Sequence, residues 1–200
     1  MAEPARPLTI ARSELILGGQ KSGKTLRAES LAAAWLAHSP RHRAVYIATA
    51  QAWDEEMRER IARHQHERAQ RVPGMVTHEE PTELAHAIGA HSRADTLVVV
   101  DCLTLWLTGL LMPAAGVLEP KVPVVPVPRA HSAIISGAIA ACAGPLVLVS
   151  NEIGLGVVPM GRDVRAFVDA LGSLNQQAAA ACERVTLMSA GLALALKGHA

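Results

Sequence analysis

The residues with the clearest chemistry lie close to the amino terminus. Gly18-Gly19-Gln20-Lys21-Ser22-Gly23-Lys24-Thr25 fits G-x-x-x-x-G-K-[ST] at every specified position. Glycines let the backbone turn with its N–H groups facing inward, so amides and the start of the next helix can cradle a polyphosphate. Lys24 is placed to reach the outer phosphates, and Thr25 to offer its hydroxyl to Mg²⁺. A Gly-rich turn that binds nothing is the plain alternative. The apolar run Leu15-Ile16-Leu17 before the loop and the helix-forming residues 26–37 after it supply the strand–loop–helix order that phosphate binding requires.

Two further groups can do chemistry. Asp101 ends the apolar run TLVVVD (96–101), where a phosphate-loop enzyme puts the acid that helps hold Mg²⁺; an N-cap for a helix over 103–111 is the competing role. In the charged stretch after Asp54, Trp53, Met57, Ile61, His64 and Arg68 recur at i, i+4, i+8, i+11 and i+15, one stripe at helical spacing. His66 lies about 200° around the helix from His64, so the two histidines cannot share a face. Arg60, Arg63 and Arg68 surround His64 in sequence, a set that suits an imidazole facing phosphate oxygens; a solvated face with an ordinary histidine has the same pattern.

The elements that must position these groups alternate. Strands are expected at 15–17, 44–48, 75–80, 96–101, 145–152 and 184–191, with a short edge strand at 192–196. Helices are expected at 26–37, 54–70, 103–111, 130–143 and 162–182, and another opened by Pro81 and running to about Ser92. This predicts an α/β fold, a mostly parallel sheet with helices on both faces, in one nucleotide-binding catalytic domain over 1–200. Residues 1–12 read as an N-terminal extension. Prolines 113, 120, 123, 126 and 128 make 112–128 a Pro-rich loop.

Composition narrows the function classes. Half of the 200 residues are apolar and 18% are charged, which suits a packed core built from Ala, Leu, Val and Ile. A formal charge of +1 argues against nucleic-acid binding. The apolar stretch 96–118 is long enough to span a bilayer, but Asp101 and Pro113 interrupt it, so no membrane span is expected. Cys102, Cys142 and Cys182 have no C-x-x-C spacing, and MAEPARPLTIARSE lacks a signal-peptide core; both suit a cytoplasmic protein.

Taken together, GGQKSGKT after a strand, YIATAQAWDEEMRERIARH (46–64), VTHEEP (76–81), VVVDCLTLWLTGLL (98–111), LVSNEIGLGVVP (148–159) and LNQQAAAACERVTLMSAGLALALKG (174–198) resemble the bifunctional adenosylcobinamide kinase / adenosylcobinamide-phosphate guanylyltransferase family of cobalamin assembly. The resemblance implies a RecA-like P-loop fold and a homo-oligomer, a trimer. It implies that ATP or GTP phosphorylates the aminopropanol hydroxyl of adenosylcobinamide, and that GTP then donates GMP to adenosylcobinamide phosphate, with Mg²⁺. The R-x-x-R-H match puts the GMP-carrying histidine at His64, with Lys24 as its catalytic companion. The family's nucleotide-binding set falls on Gly18, Gly19, Gln20, Lys21, Ser22, Gly23, Lys24 and Thr25, then on Thr49, Ala50, Gln51, Glu67, Arg68, Glu79 and Asp101; the metal positions are Thr25 and Asp101. The chain departs from the family pattern at Gln20-Lys21, Thr25, Gly109, Met160-Gly161 and the Pro-rich 119–128. The N-K-x-D and D-x-x-G elements of a switch GTPase are absent, whereas a small-metabolite kinase with no guanylyl step shares the same fold.

Overall fold

A computed structural model describes residues 8–52, 54–112 and 128–198. In chain order its elements are β1 (Ser13–Gly18), α1 (Lys24–His38), β2 (Arg43–Ala48), α2 (Glu55–Arg71), β3 (Val76–Glu79), α3 (Leu84–His91), β4 (Thr96–Asp101), α4 (Leu103–Leu111), α5 (Pro128–Ala141), β5 (Leu146–Val149), α6 (Arg162–Ala181), β6 (Arg184–Ser189) and β7 (Leu192–Lys197). The seven strands form one sheet in the order β3-β2-β4-β5-β1-β6-β7. All pairings are parallel except β6 with β7, which is antiparallel.

Period-two alternation in strands buried on both sides creates two cores. On one face, Leu15 and Leu17 of β1, Ile47 of β2, Val98 and Val100 of β4, and Leu146 and Leu148 of β5 pack with residues of α3, α4, α5 and α6. On the other, Ile16, Tyr46, Val99, Val147 and Val149 pack with Ala28, Leu31 and Ala32 of α1. Helices therefore cover both faces, as a RecA-like P-loop fold requires. Of the apolar stretch 96–118, the described part is β4 followed by α4, with 113–118 outside the described residues; no helix among the described residues is long and apolar enough to cross a membrane. The outer strand β7 is exposed throughout, with Leu192, Leu194 and Leu196 in alternate positions.

Three local expectations shift. Pro81 does not open α3. The Glu80 carboxylate accepts hydrogen bonds from the backbone N–H groups of Thr82 and Glu83 and from the Thr82 hydroxyl, so 81–83 is held as a turn and the helix starts at Leu84. The same hydrogen bonds, Thr82's first, hold the Glu80 carboxyl below its usual pKa. Strand β5 stops at Val149 because the chain beyond is claimed elsewhere: Asn151 N–H donates to the Thr104 hydroxyl and Glu152 N–H to the Gly18 carbonyl. The N-terminal segment is anchored over its described part, since Arg184 donates to the Thr9 carbonyl and hydroxyl and Arg12 N–H to Glu183. Residues 1–7, Trp53 of the helical stripe and most of the Pro-rich stretch (113–127) lie outside the described residues.

Beneath the phosphate loop lies a buried ionic cluster that pattern reading did not single out. Glu14 on β1 is 1% exposed. Its Oε1 accepts from Arg27 Nε of α1 at 2.9 Å and from the Thr186 hydroxyl at 2.7 Å, and its Oε2 accepts from Arg184 Nη1 at 3.2 Å. One carboxylate thereby joins β1, α1 and β6.

Candidate active site

The loop after β1 turns sharply because Gly18 passes its neighbours too closely for a side chain. A Cβ there would sit 2.4 Å from the Met188 carbonyl oxygen and 2.6 Å from Ser22 Oγ. Gly23, with φ +103°, delivers the chain into α1. The turn between β6 and β7 braces the loop from outside, Gly191 N–H donating to the Ser22 carbonyl at 3.0 Å. Within the loop, Lys24 is 8% exposed and its ammonium donates to the Gly19 carbonyl at 2.6 Å. Burial lowers its pKa, against the opposing pull of Asp101. The buried Ser22 Oγ has no hydrogen-bond partner among the described residues. A poorly solvated cation and an unpartnered hydroxyl in a cradle of amides suit an anionic phosphate chain.

Asp101 stands at the mouth of this loop. The Thr25 hydroxyl donates to its Oδ2 at 2.8 Å, and the Tyr46 phenol donates to the same oxygen at 2.8 Å. It is not the cap of α4: Cys102 holds that position, its sulfur accepting from Leu105 N–H. The helix-cap alternative is thereby excluded, and the carboxylate and hydroxyl form a pair of hard oxygen donors at a helix N-terminus. Among the described residues no three His, Cys, Asp or Glu side chains gather as a metal cage. That pattern fits Mg²⁺, which takes one or two protein oxygens and completes its shell with water and substrate phosphate. The Cys102 thiol is 5% exposed, and its pKa is pushed up to about 12 by burial and by Asp101, so it is no nucleophile.

Helix α2 carries the second set. Asp54 caps it by accepting from Met57 N–H at 2.7 Å. Met57, Ile61 and His64 are half-buried and Arg68 is 4% exposed, while Arg58, Glu59, Arg60 and Arg63 lie in solvent. The described members of the stripe thus share the inward face, and His66 lies outside it, its ring contacting Gln70. Burial lowers the His64 pKa; Glu67 and Asp101 pull it up, Arg60 and Arg63 down. Arg68 turns fully inward, its guanidinium 3.7 Å from the Tyr46 ring centroid and donating to the Thr77 hydroxyl. Glu67 pairs with Arg71, which also meets the buried Glu29 of α1 at 3.1 Å. This ties α2 to the helix that leaves the phosphate loop.

The remaining expected residues divide. The Thr49 hydroxyl is engaged by the backbone of Cys102, donating to its carbonyl at 2.7 Å and accepting from its N–H at 2.8 Å, so it clasps the ends of β2 and β4 together. Ala50 and Gln51 follow, half-buried, at the carboxyl edge of the sheet, where open α/β sheets take ligands. Glu79 accepts from Gln65 of α2 at the end of β3. Gln20 and Lys21 are exposed on the loop. Pattern reading passed over Tyr46, Glu29 and Asn175. The last is 3% exposed and donates to the Asn151 carbonyl at 3.0 Å, fixing the segment that follows β5 against α6. A concavity of about 440 Å³ between α3 and α5 involves no residue of this set.

The family model described as cobinamide kinase / cobinamide phosphate guanyltransferase matches residues 14–196. A bifunctional adenosylcobalamin biosynthesis protein (CobP) of Pseudomonas aeruginosa is 45% identical over 187 residues, covering 93% of this chain and 98% of its own. The CobU proteins of the same description from Escherichia coli K12 and Salmonella typhimurium are 34% and 35% identical, each covering 92% of this chain and 98% of its own. The flagellar accessory protein FlaH of Methanocaldococcus jannaschii superposes with a TM-score of 0.49 at 12% identity, over 95% of this chain and 80% of its own. The fold described above rests on its own strand order and not on that likeness.

Proposed function

The chain belongs to the cobinamide kinase / cobinamide phosphate guanyltransferase family, and from that premise we propose that one phosphate loop serves two successive transfers in adenosylcobalamin biosynthesis. In the first, the aminopropanol hydroxyl of adenosylcobinamide attacks the γ-phosphorus of ATP or GTP. The bond from that phosphorus to the nucleoside diphosphate breaks, and the hydroxyl proton is lost. In the second, a neutral imidazole nitrogen of His64 attacks the α-phosphorus of GTP and pyrophosphate leaves. The new adenosylcobinamide phosphate then attacks the same phosphorus, freeing His64 and giving adenosylcobinamide-GDP. Splitting the transfer in two replaces one difficult displacement by two easier ones.

The observation that carries the reading is the Thr25–Asp101 pair, 2.8 Å apart at the mouth of a complete phosphate loop. Lys24 and the loop amides, Gly18 to Thr25, neutralise phosphate charge; Thr25 and Asp101 would hold Mg²⁺, which when bound would offset charge on the phosphate oxygens. The lowered pKa of His64 supports its role as nucleophile, because the imidazole stays neutral at physiological pH. Arg60 and Arg63 lie on the adjoining turn, exposed and able to meet a phosphate carried on that ring. Thr49, Ala50, Gln51, Glu67, Arg68 and Glu79 complete the nucleotide side of the proposal, Thr49 and Arg68 through the packing they hold. The trimer implied by the family resemblance belongs to the same proposal, and sedimentation tests it: a mass of three chains would support it, and a mass of one chain would refute it. The three free, buried cysteines are in keeping with a reducing cytoplasm.

Incubation with α-labelled GTP tests the reading. His64→Ala should abolish covalent labelling and guanylyl transfer, a loss on the order of a thousandfold or more, while His66→Ala leaves both near wild type. Kinase turnover should partly survive in His64→Ala, since the loop and Mg²⁺ do not need that imidazole. Labelling that persists in His64→Ala and disappears in His66→Ala would reverse the assignment. Labelling absent from the unmodified protein would leave a plain kinase.

A further inference from the structure

Tyr46 is the only tyrosine in the chain and is 5% exposed. The sheet register explains its neighbours. Tyr46 pairs with Thr77 of β3 on one side and Val99 of β4 on the other. Thr77 and Asp101, the latter two residues beyond Val99, therefore share its face. Arg68 descends onto that face from α2, lying over the ring at 3.7 Å and donating to Thr77 Oγ1 at 3.1 Å. The phenol, for its part, donates to Asp101 Oδ2 at 2.8 Å. Oδ2 thus receives both Tyr46 and Thr25, and among the described residues no hydrogen bond reaches Oδ1. Burial and the adjacent carboxylate push the phenol pKa well above its usual value, so the group remains a donor.

We propose that Tyr46 is a positioning residue: its hydroxyl fixes the Asp101 carboxylate for the divalent cation, and its ring, held under Arg68, ties that carboxylate to the helix bearing His64. The inference rests on Asp101 serving the cation, as proposed above. A tyrosine that only filled the core would need neither the hydroxyl bond nor the guanidinium. Here each end of the side chain contacts one of the two chemical centres: the phenol oxygen meets the cation pair, and the ring face meets α2. The guanidinium is attracted to the ring's π face and, being desolvated, is drawn to it more strongly than in water. Movement of α2 would carry Arg68 with it and release the phenol, so the setting of Asp101 follows the seating of α2.

The test uses the full chain with a non-hydrolysable GTP analogue and Mn²⁺ as a spectroscopic substitute for Mg²⁺. Tyr46→Phe should weaken Mn²⁺ binding, read by electron paramagnetic resonance, about tenfold, as expected for one hydrogen bond to a charged group. The Mg²⁺ concentration for half-maximal kinase turnover should rise in parallel, with turnover at saturating Mg²⁺ within about twofold of wild type. Arg68→Gln should weaken Mn²⁺ binding about threefold, as loss of a buried cation–π contact predicts. Combined with Tyr46→Phe it should add nothing, because both act through one contact. Wild-type protein carrying 3-fluorotyrosine gives a single fluorine resonance, which should shift on Mg²⁺ addition and in Arg68→Gln; this readout needs no variant of Tyr46 to fold.

Unchanged Mn²⁺ affinity in Tyr46→Phe, alongside its loss in Asp101→Asn, would overturn the inference and leave the metal reading standing. Wild-type Mn²⁺ affinity in Asp101→Asn would instead remove the metal reading and this inference with it. A fluorine resonance indifferent to Mg²⁺ would overturn the positioning role, and strictly additive losses would overturn the link to α2.

Discussion

Replacing Glu14 by glutamine exchanges one carboxylate oxygen for an NH₂ group beneath the phosphate loop and tests what holds that loop's strand and helix together. The carboxylate is 1% exposed, and the side chains of Arg27 and Arg184 that face it are 9% and 10% exposed. A glutamine keeps the volume but must direct its NH₂ either at Arg184 Nη1 or at Arg27 and Thr186, so one guanidinium always meets a donor. Removing one partner from a buried ion cluster costs about 3–5 kcal/mol, because the remaining charges stay desolvated. A chain of this size loses about 2–4 °C in Tm per kcal/mol, so Glu14→Gln should lower Tm by roughly 6–20 °C. The assay is thermal unfolding without nucleotide, since a bound ligand adds its own stability. Urea unfolding should give a lower midpoint at an unchanged slope. Thr186→Val removes one neutral donor to that carboxylate and should cost less, about 1.5–3 kcal/mol. A Tm change below about 2 °C in Glu14→Gln would place the cluster with solvent-screened surface pairs. An equal loss in Thr186→Val would show that shape, rather than charge, holds the site.

Two predictions concern the chemistry directly. Lys24→Ala should lower both kinase and guanylyl transfer rates by on the order of a hundredfold or more without lowering Tm, because burial already works against that ammonium; undiminished turnover would remove the phosphate loop from the mechanism. Formation of the guanylyl–protein adduct should hold its rate as the pH falls to 6.5 and decline below it, since attack needs neutral imidazole and burial lowers the His64 pKa from 6.5. An acid limb centred at or above 6.5 in single-turnover labelling would contradict that environment.

What the sequence made legible depended on how local its cause was. The loop at 18–25 could be read because most of its motif answers to neighbours in the chain, Gly23 to a positive φ and Lys24 and Thr25 to the start of a helix, although the crowding at Gly18 comes as much from distant Met188 as from Ser22. The inward face of α2 could be read because helical periodicity alone puts Met57, Ile61, His64 and Arg68 together. Tyr46 could not, because its partners lie 22 and 55 positions away, and only the β2–β4 register joins them. Glu14 was not singled out, because its partner Arg184 lies 170 positions on and only the β1–β6 pairing brings it near. Pro81 misled for a local reason, because the Glu80 carboxylate captured the free amides before a helix could. The cap of α4 passed from Asp101 to Cys102, one position along, and that small displacement leaves Asp101 available to the loop.

The position of β1 has a consequence for how the protein comes into being. It is made well before its partners in the sheet, which begin only at Leu146 and Arg184, and before the turn at Gly191 that braces its loop. Until then the segment SELILG has two open edges and no native strand beside it, and strands in that condition recruit other chains. Closing such long separations also makes folding slow. The cradle for the phosphates therefore takes shape only after β6 and the turn at Gly191 have been made. A chain interrupted before β6 would carry every residue of the Gly18–Thr25 loop without the strand and turn that hold the loop in shape. Capture of a nucleotide then serves as a certificate that the chain has been made and assembled at least as far as the turn after β6.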